Sequence, residues 1–317
     1  MSNRSVRLKL AMSAIALLCW NAPARAADTL TILTGGTNGI YFPLGIAIGK
    51  IYSDGIADRT TRVQVSKGSV ENLRLLARGK GELAIADGDS IIAAAEGDAD
   101  AGFKDKLTTL RSIGALYPDY IQIAATTKSG IKSLADLKGR SLSIGERQSG
   151  TDLNARALLD AAGLDDGEIR ALPQLSFADA VAKMIDGKLD ATLQSAGLGV
   201  ASLNRLSNNA DIVMVPIPPN VVKKLGPPFM AGTIPANTYR GQDREVPTAT
   251  VMNYLVTRAD VSDDLVYRMT QLVYDSLGEL AKAHPAAEDI KLKDAATTPV
   301  PLHPGAIRYF REKKLMK

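Results

Sequence analysis

Leu30-Thr31-Ile32-Leu33-Thr34, then Gly35-Gly36-Thr37-Asn38-Gly39, then Ile40-Tyr41-Phe42-Pro43-Leu44 is the stretch whose reading decides the fold. A short apolar and β-branched run gives way to five small or polar residues, and a segment with helical spacing follows from Tyr41 to Tyr52. This is a strand, a loop and a helix. The unit recurs at once. Arg62 to Val65 is a strand, Ser66-Lys67-Gly68-Ser69 a loop and Val70 to Arg78 a helix; Leu83 to Ala86 is a strand, Asp87-Gly88-Asp89-Ser90 a loop, and a helix ends near Gly97. Short strands alternating with helices predict a parallel sheet covered on both faces.

The pattern then restarts, as a second sheet would. Tyr120 to Thr126 and Ser141 to Ile144 read as strands, with a short helical turn at Ser133 to Leu137 between them. The loop Gly145-Glu146-Arg147-Gln148-Ser149-Gly150 precedes a helix from Thr151 to Ala162, which Gly163 stops. A helix from Phe177 to Asp186 and a strand from Asp190 to Leu193 follow. Prolines cluster between Val215 and Pro247 and predict irregular surface chain. Thr250 to Thr257 is again a strand. Ser262 caps one long helix whose stripe Val266, Met269, Val273, Leu277 and Leu280 marks a buried face.

The chain opens with Arg4, Arg7 and Lys9, an apolar run from Leu10 to Trp20, and Ala24-Arg25-Ala26. That order predicts a secretory signal peptide over residues 1–26, cleaved after Ala26, and a periplasmic mature protein. Cys19 follows Leu18 rather than a small residue, so lipidation is not expected. The leader holds four of the 38 lysines and arginines and no acid, so the remaining 34 bases meet 34 acids. The mature chain is formally neutral, which removes the charge argument for nucleic acid. It also has no cysteine, and no disulfide or thiolate metal site can form. About 290 residues suffice for roughly two domains held by their cores alone.

Four loops, 35–39, 66–69, 87–90 and 145–150, each follow a strand and open a helix. In an open parallel sheet such loops lie together at the carboxyl edge, where ligands bind. Each helix start offers free backbone N–H groups and the positive end of a dipole, which suits a carboxylate. Singly the loops say little: Gly36-x-x-Gly39 lacks the third glycine of a dinucleotide fingerprint, no phosphate loop is present, and Ser69 and Ser90 serve as helix caps without any ligand. The two histidines, His284 and His303, stand beside prolines far from these loops. With no Gly-x-Ser-x-Gly and no His-Glu-x-x-His, neither an enzyme nor a cofactor is expected.

From Gln148-Ser149-Gly150-Thr151-x-x-Asn154-Ala155 onward the sequence resembles the TAXI-type solute receptors of TRAP (tripartite ATP-independent periplasmic) transporters. The resemblance includes Thr34 to Pro43, Gly68-Ser69-Val70-Glu71-Asn72-Leu73, Leu116-Tyr117-Pro118, Ser133 to Arg140, Asp186 to Ala191 and Pro301-Leu302-His303-Pro304-Gly305-Ala306. It implies an α/β, type II periplasmic-binding fold: two lobes, two crossover strands near Tyr120–Thr126 and Thr250–Thr257, and a ligand cleft between the lobes. Residues 27–122 would form lobe I, 123–254 lobe II, and 255–317 the C-terminal helices returning to lobe I. It further implies a monomer that delivers a small carboxylate or amino-acid solute, glutamate among the ligands of similar proteins, to TRAP membrane permease subunits.

By position, Gly36, Thr37, Tyr41, Ser69 and Asn72 would contact the solute from lobe I. Ser149, Gly150 and Thr151 would hold its carboxylate from lobe II, and Tyr117 would form an aromatic wall. Two departures from the family stand out. Asp87 replaces a usual Gln, and either meets an ammonium group of a zwitterionic solute or merely caps a helix. Gln194 is followed by Ser195-Ala196 where a proline is usual, which weakens it as a contact. Arg147 is a further candidate for pairing with a carboxylate. The same receptor could serve an ABC importer or a membrane sensor kinase. A periplasmic hydrolase is the more distant alternative.

Overall fold

The structure, a computed structural model, describes residues 28–164, 166–170 and 174–316. The expected leader and its cleavage site after Ala26 lie outside the described residues. Three strand–helix units open the fold as the sequence predicts. β1 (Asp28–Leu33) leads to α1 (Tyr41–Gly55), β2 (Arg59–Gln64) to α2 (Ser69–Ala77), and β3 (Leu83–Asp87) to α3 (Gly88–Glu96). β1 lies between β2 and β3 and runs parallel to both. The loops that leave the three strands therefore share one edge.

Two long strands join this sheet to the rest. β4 (Leu110–Thr126) and β9 (Val246–Arg258) are antiparallel partners, from Leu110 opposite Arg258 to Tyr120 opposite Thr250. At one end β9 also pairs with β3. Toward the other, β4 pairs with β6 (Ala191–Ala196) and β7 (Ile212–Val215), β9 pairs with β8 (Met230–Ile234), and β5 (Leu142–Ser143) lies parallel to β6. Both expected crossovers are present. β4 begins at Leu110, before the predicted Tyr120, because its period is broken twice: the register shifts between Ser112 and Gly114, and again between Ala115 and Pro118. Each shift inserts one residue and turns the side chains that follow to the other face.

Helices close both ends. On the second lobe α4 (Gly150–Ala162), α5 (Phe177–Ile185), α6 (Ala201–Asn209) and α7 (Pro219–Leu225) surround the strands, and Ile121, Ile123, Leu158, Leu193 and Val222 form a core. On the first, Leu33, Leu73, Leu76, Ile91 and Val256 pack beneath α2 and α3. α8 (Asp263–Asp275), α9 (Leu277–Ala283) and α10 (Pro304–Glu312) complete the chain, and Val273 and Phe310 belong to the same core as Leu44, Ile48 and Tyr52 of α1. Burying such side chains contributes roughly 1.5–3 kcal/mol apiece before entropy is counted.

Three expectations change. The second sheet is continuous with the first, because β4 and β9 carry the hydrogen-bond ladder through and all nine strands form one sheet. The single helix after Ser262 is two, because Ser276 N–H bonds to Val273 O while Ser276 O accepts from Glu279 N–H and Leu280 N–H. One serine thus ends α8 and begins α9. The proline-rich stretch is less irregular than predicted, since α7 begins with Pro219 at its first position, where no helical hydrogen bond is lost. β8 sits between the prolines and pairs along β9.

Candidate functional site

A cavity of about 360 Å³ lies between the lobes, at the low end for a small-molecule site. Its wall takes residues 35–41, 67–69 and Asp87 from the first lobe, and Glu146, 149–151, 175–178, Ser195 and Ala196 from the second. Tyr117 and Asp119 enter from β4, at and just beyond its second register shift. The lobes touch beside it. Glu71 N–H donates to Gln148 O at 3.0 Å, and Asn154 Nδ2 donates to Asp89 Oδ2.

Of the helix starts that border the cavity, those of α4, α5 and α2 have each spent part of their donors. Ser149 Oγ caps α4 by accepting from Asp152 N–H at 3.0 Å, and Leu153 N–H bonds to Ser149 O. The N–H groups of Gly150 and Thr151 are then what this end offers. Ser176 Oγ caps α5 by accepting from Asp179 N–H at 3.1 Å, leaving Phe177 and Ala178. α2 begins after Gly68, whose φ of +123° suits glycine, and its Glu71 and Asn72 N–H groups are taken, leaving Ser69 and Val70. Five of these N–H groups, those of Ser69, Gly150, Thr151, Phe177 and Ala178, belong to the wall of a space of small-molecule size, beside the positive ends of three helix dipoles.

The opposite charge sits at the buried end. Asp87 and Asp119 are 2% and 3% exposed, and neither Oδ1 has a hydrogen-bond partner among the described residues. The Tyr117 hydroxyl and Ser195 Oγ lack one as well. Burial pushes the Asp119 carboxyl up to about 8, and the neighbouring Asp87 charge adds to the rise. Burial also raises Asp87, against the nearby polar groups of Ser90, Asp89 and Ser69 that lower it. Asp89 in the first turn of α3 is driven well up by burial and then by Asp87. Asp87 and Asp119 both push the Tyr117 and Tyr41 phenols up, after burial itself. The carboxylates thus share one poorly hydrated pocket with no arginine in its described wall.

Tyr41 fixes this end to the crossover. Its hydroxyl donates to Asn253 Oδ1 on β9 and lies 3.2 Å from Ser69 Oγ, which accepts from Asp87 N–H. Asn253 Nδ2 donates to Tyr117 O at 3.1 Å. One asparagine in the middle of a strand so ties together the start of α1 and the second bulge of β4.

Of the residues singled out from sequence, Gly36, Thr37, Tyr41, Ser69, Asp87, Tyr117, Ser149, Gly150 and Thr151 all stand in the wall, with Gly36 and Thr37 at its exposed mouth. Three do not. Asn72 is fully buried and donates from Nδ2 to Thr34 O and Ile85 O while its Oδ1 accepts from Ser66. Gln194 is also buried, its Oε1 accepting from Ser202 Oγ. Arg147 is exposed outside the cavity. The expected caps also shift: Ser69 is the first residue of α2, Ser90 lies inside α3, and Asp87 takes the cap position of α3 without a capping bond from its side chain. Asp119, Ser195 and the start of α5 were not anticipated.

The hydrolase alternative needs a histidine beside a serine. His303 Nδ1 accepts from Gly305 N–H at the head of α10, and His284 Nδ1 accepts from Ala286 N–H. Both cap helices, and neither is in the cavity wall.

Residues 32–313 match the NMT1-like family. The chain belongs to that family. This NMT1-like chain also shares its fold with periplasmic binding proteins of known structure. It is 9% identical to the periplasmic binding protein BugD, with 91% of this chain and 94% of that one covered and a TM-score of 0.58. It is 16% identical to a protein from Bordetella bronchiseptica RB50, covering 90% and 98% at a TM-score of 0.57. The alkanesulfonate-binding protein SsuA from Xanthomonas axonopodis pv. citri, solved with MOPS, is also 16% identical, covering 93% and 96% at 0.51. The two-lobed α/β fold read from the sequence is the fold of these proteins.

Proposed function

We propose that this chain is an extracytoplasmic solute receptor, of the TAXI type that serves TRAP permeases, and that its solute is a small carboxylate or amino acid. One observation carries the reading: the interlobe cavity sets helix-start N–H groups beside unpartnered buried carboxylate oxygens. An α-amino acid has its two charged groups on one carbon. It therefore needs donors and acceptors within a few ångströms of each other, and Asp87 against the first residue of α4 supplies that adjacency. The TRAP assignment rests on the sequence resemblance around residues 148–155 and the segments that accompany it.

In this reading the lobes, proposed as 27–122 with 255–317 and as 123–254, turn about β4 and β9. A solute held by both lobes favours the closed form by the difference in its affinity for the two forms. The signal peptide and periplasmic location belong to the same proposal; no described helix is long and apolar enough to cross a membrane. The test is a thermal-shift scan of residues 27–317 against amino acids, dicarboxylates, keto acids and sulfonates. A ligand at a hundred times its Kd adds roughly 2.7 kcal/mol. A melting shift with an amino acid supports the receptor, and silence across the panel overturns it.

A further inference from the structure

We infer that the buried end of the cleft recognises a primary ammonium group held jointly by Asp87, Asp119 and the Tyr117 phenol, so that solutes bearing an amine are taken and their des-amino counterparts refused. The inference rests on the receptor reading and narrows it, making the amine obligatory.

Donors and acceptors at this end do not balance within the protein. Asp87 Oδ1, Asp119 Oδ1 and Tyr117 Oη are buried in one wall without partners among the described residues. A primary ammonium has three N–H donors and no acceptor. It can satisfy all three oxygens at once, while Ser195 Oγ remains for a further group. An unpartnered buried polar atom is costly, and native structures contain few. Four around a single cavity need a reason, and a cationic occupant supplies one.

Charge points the same way. Two buried carboxylates face a wall whose sole described base is Lys67, and Lys67 acts on Glu146. A dicarboxylate would press these carboxyls further toward their protonated forms and offers no N–H to the unpartnered oxygens. A metal ion is the other cation to weigh, but no group of three His, Cys, Asp or Glu among the described residues is arranged to hold one. Asp89 is not part of the cavity wall, and its Oδ2 accepts from Asn154 of the second lobe. The ligand's proton balance is simple: an ammonium seated between Asp87 and Asp119 makes their ionised forms the favoured ones, and any proton they carried passes to solvent.

Titration calorimetry with the exported chain and matched pairs tests this: glutamate against glutarate and 2-oxoglutarate, alanine against propionate, and taurine against ethanesulfonate. The expected result is that binding is confined to amine-bearing members, with at least about a hundredfold preference, because a site built around a hydrogen-bonding group rejects analogues that lack it. D119N should weaken that binding about tenfold to a hundredfold while circular dichroism shows the fold intact. Glutarate or 2-oxoglutarate binding within threefold of glutamate would overturn the inference and leave the receptor standing, as would undiminished binding by a folded D119N. Silence with every compound would overturn both. The paired comparison uses the unaltered chain, so a D119N protein that failed to fold would not blunt the test.

Discussion

Asp87 of the first lobe lies directly against Gly150 of the second: a β-carbon at position 150 would stand 1.8 Å from Asp87 Oδ2 and 2.9 Å from Ser69 Oγ. The contact exists because residue 150 has no side chain. It joins the end of β3 to the first residue of α4, and it measures how far the lobes have come together.

Gly150→Ala should therefore keep the lobes apart. Crowding of this kind costs about 1–3 kcal/mol, so solute affinity should fall about tenfold to a hundredfold. Small-angle scattering should show a larger radius of gyration for the variant. Adding Asp87→Ala removes the obstructing carboxylate and should restore the compact form. If the single variant scatters like the parent chain, the contact does not limit closure.

Asp119 predicts how stability varies with pH. Its carboxyl titrates near 8 in the fold against an ordinary 3.8, so between those values the native state holds a proton that the unfolded chain has released. Stability of the ligand-free protein then falls as pH rises through that window. Asp87, Tyr117 and Tyr41 face the same group, and the charge on Asp87 steepens the fall. Urea unfolding at pH 5 and pH 8.5 should differ by at least about 1 kcal/mol, since each tenfold tightening of the proton in the native state corresponds to about 1.4 kcal/mol. In Asp119→Asn much of that difference should vanish; an unchanged slope would remove this carboxyl as its source.

Asn72→Ala is expected to act on the fold rather than on the solute. It deletes two bonds to backbone carbonyls and one from Ser66, all buried. Stranding those partners costs about 2–4 kcal/mol. The urea midpoint should drop accordingly, while the protein that remains folded binds within about threefold of normal. A large loss of affinity with the midpoint unchanged would put Asn72 in contact with the solute after all.

Arg147→Ala makes the reverse test. The side chain is exposed and outside the wall, and such substitutions usually stay within about 0.5 kcal/mol. Affinity measured by calorimetry should change by less than about threefold. A tenfold loss would mean that the guanidinium reaches the solute.

Much of this architecture was legible locally. Strand, loop and helix succeed one another from Leu30 to Gly97 as short apolar runs, turn residues and helical spacing, and the loops between them supply much of the first lobe's side of the wall. What escaped was set by contacts distant in sequence. Asp119 sits just past a bulge, where the alternation that would mark its side as inward has been broken. Among the described residues the start of α5 follows no strand, so nothing nearby tied Ser176 and Phe177 to the four loops. Asn72 and Tyr41 both read as polar residues at a helix start, yet one points into the scaffold and the other into the cavity. Asn253 carried a usable signal, since an asparagine inside the apolar run Val251 to Val256 must find buried partners.

The second register shift of β4 has a mechanical side. Leu116 and Tyr117 fall in the gap between Ala115 opposite Tyr254 and Pro118 opposite Met252, and proline has no N–H to give the ladder. The paired strands are thus least stiff where the Tyr117 ring enters the cavity wall. In the proposed receptor, a molecule pressing on that ring would push on the pivot itself, with almost no lever arm. Small changes in what is bound should then register as changes in the angle between the lobes, and a membrane partner that senses the angle could distinguish a well-seated solute from an ill-fitting one without touching either.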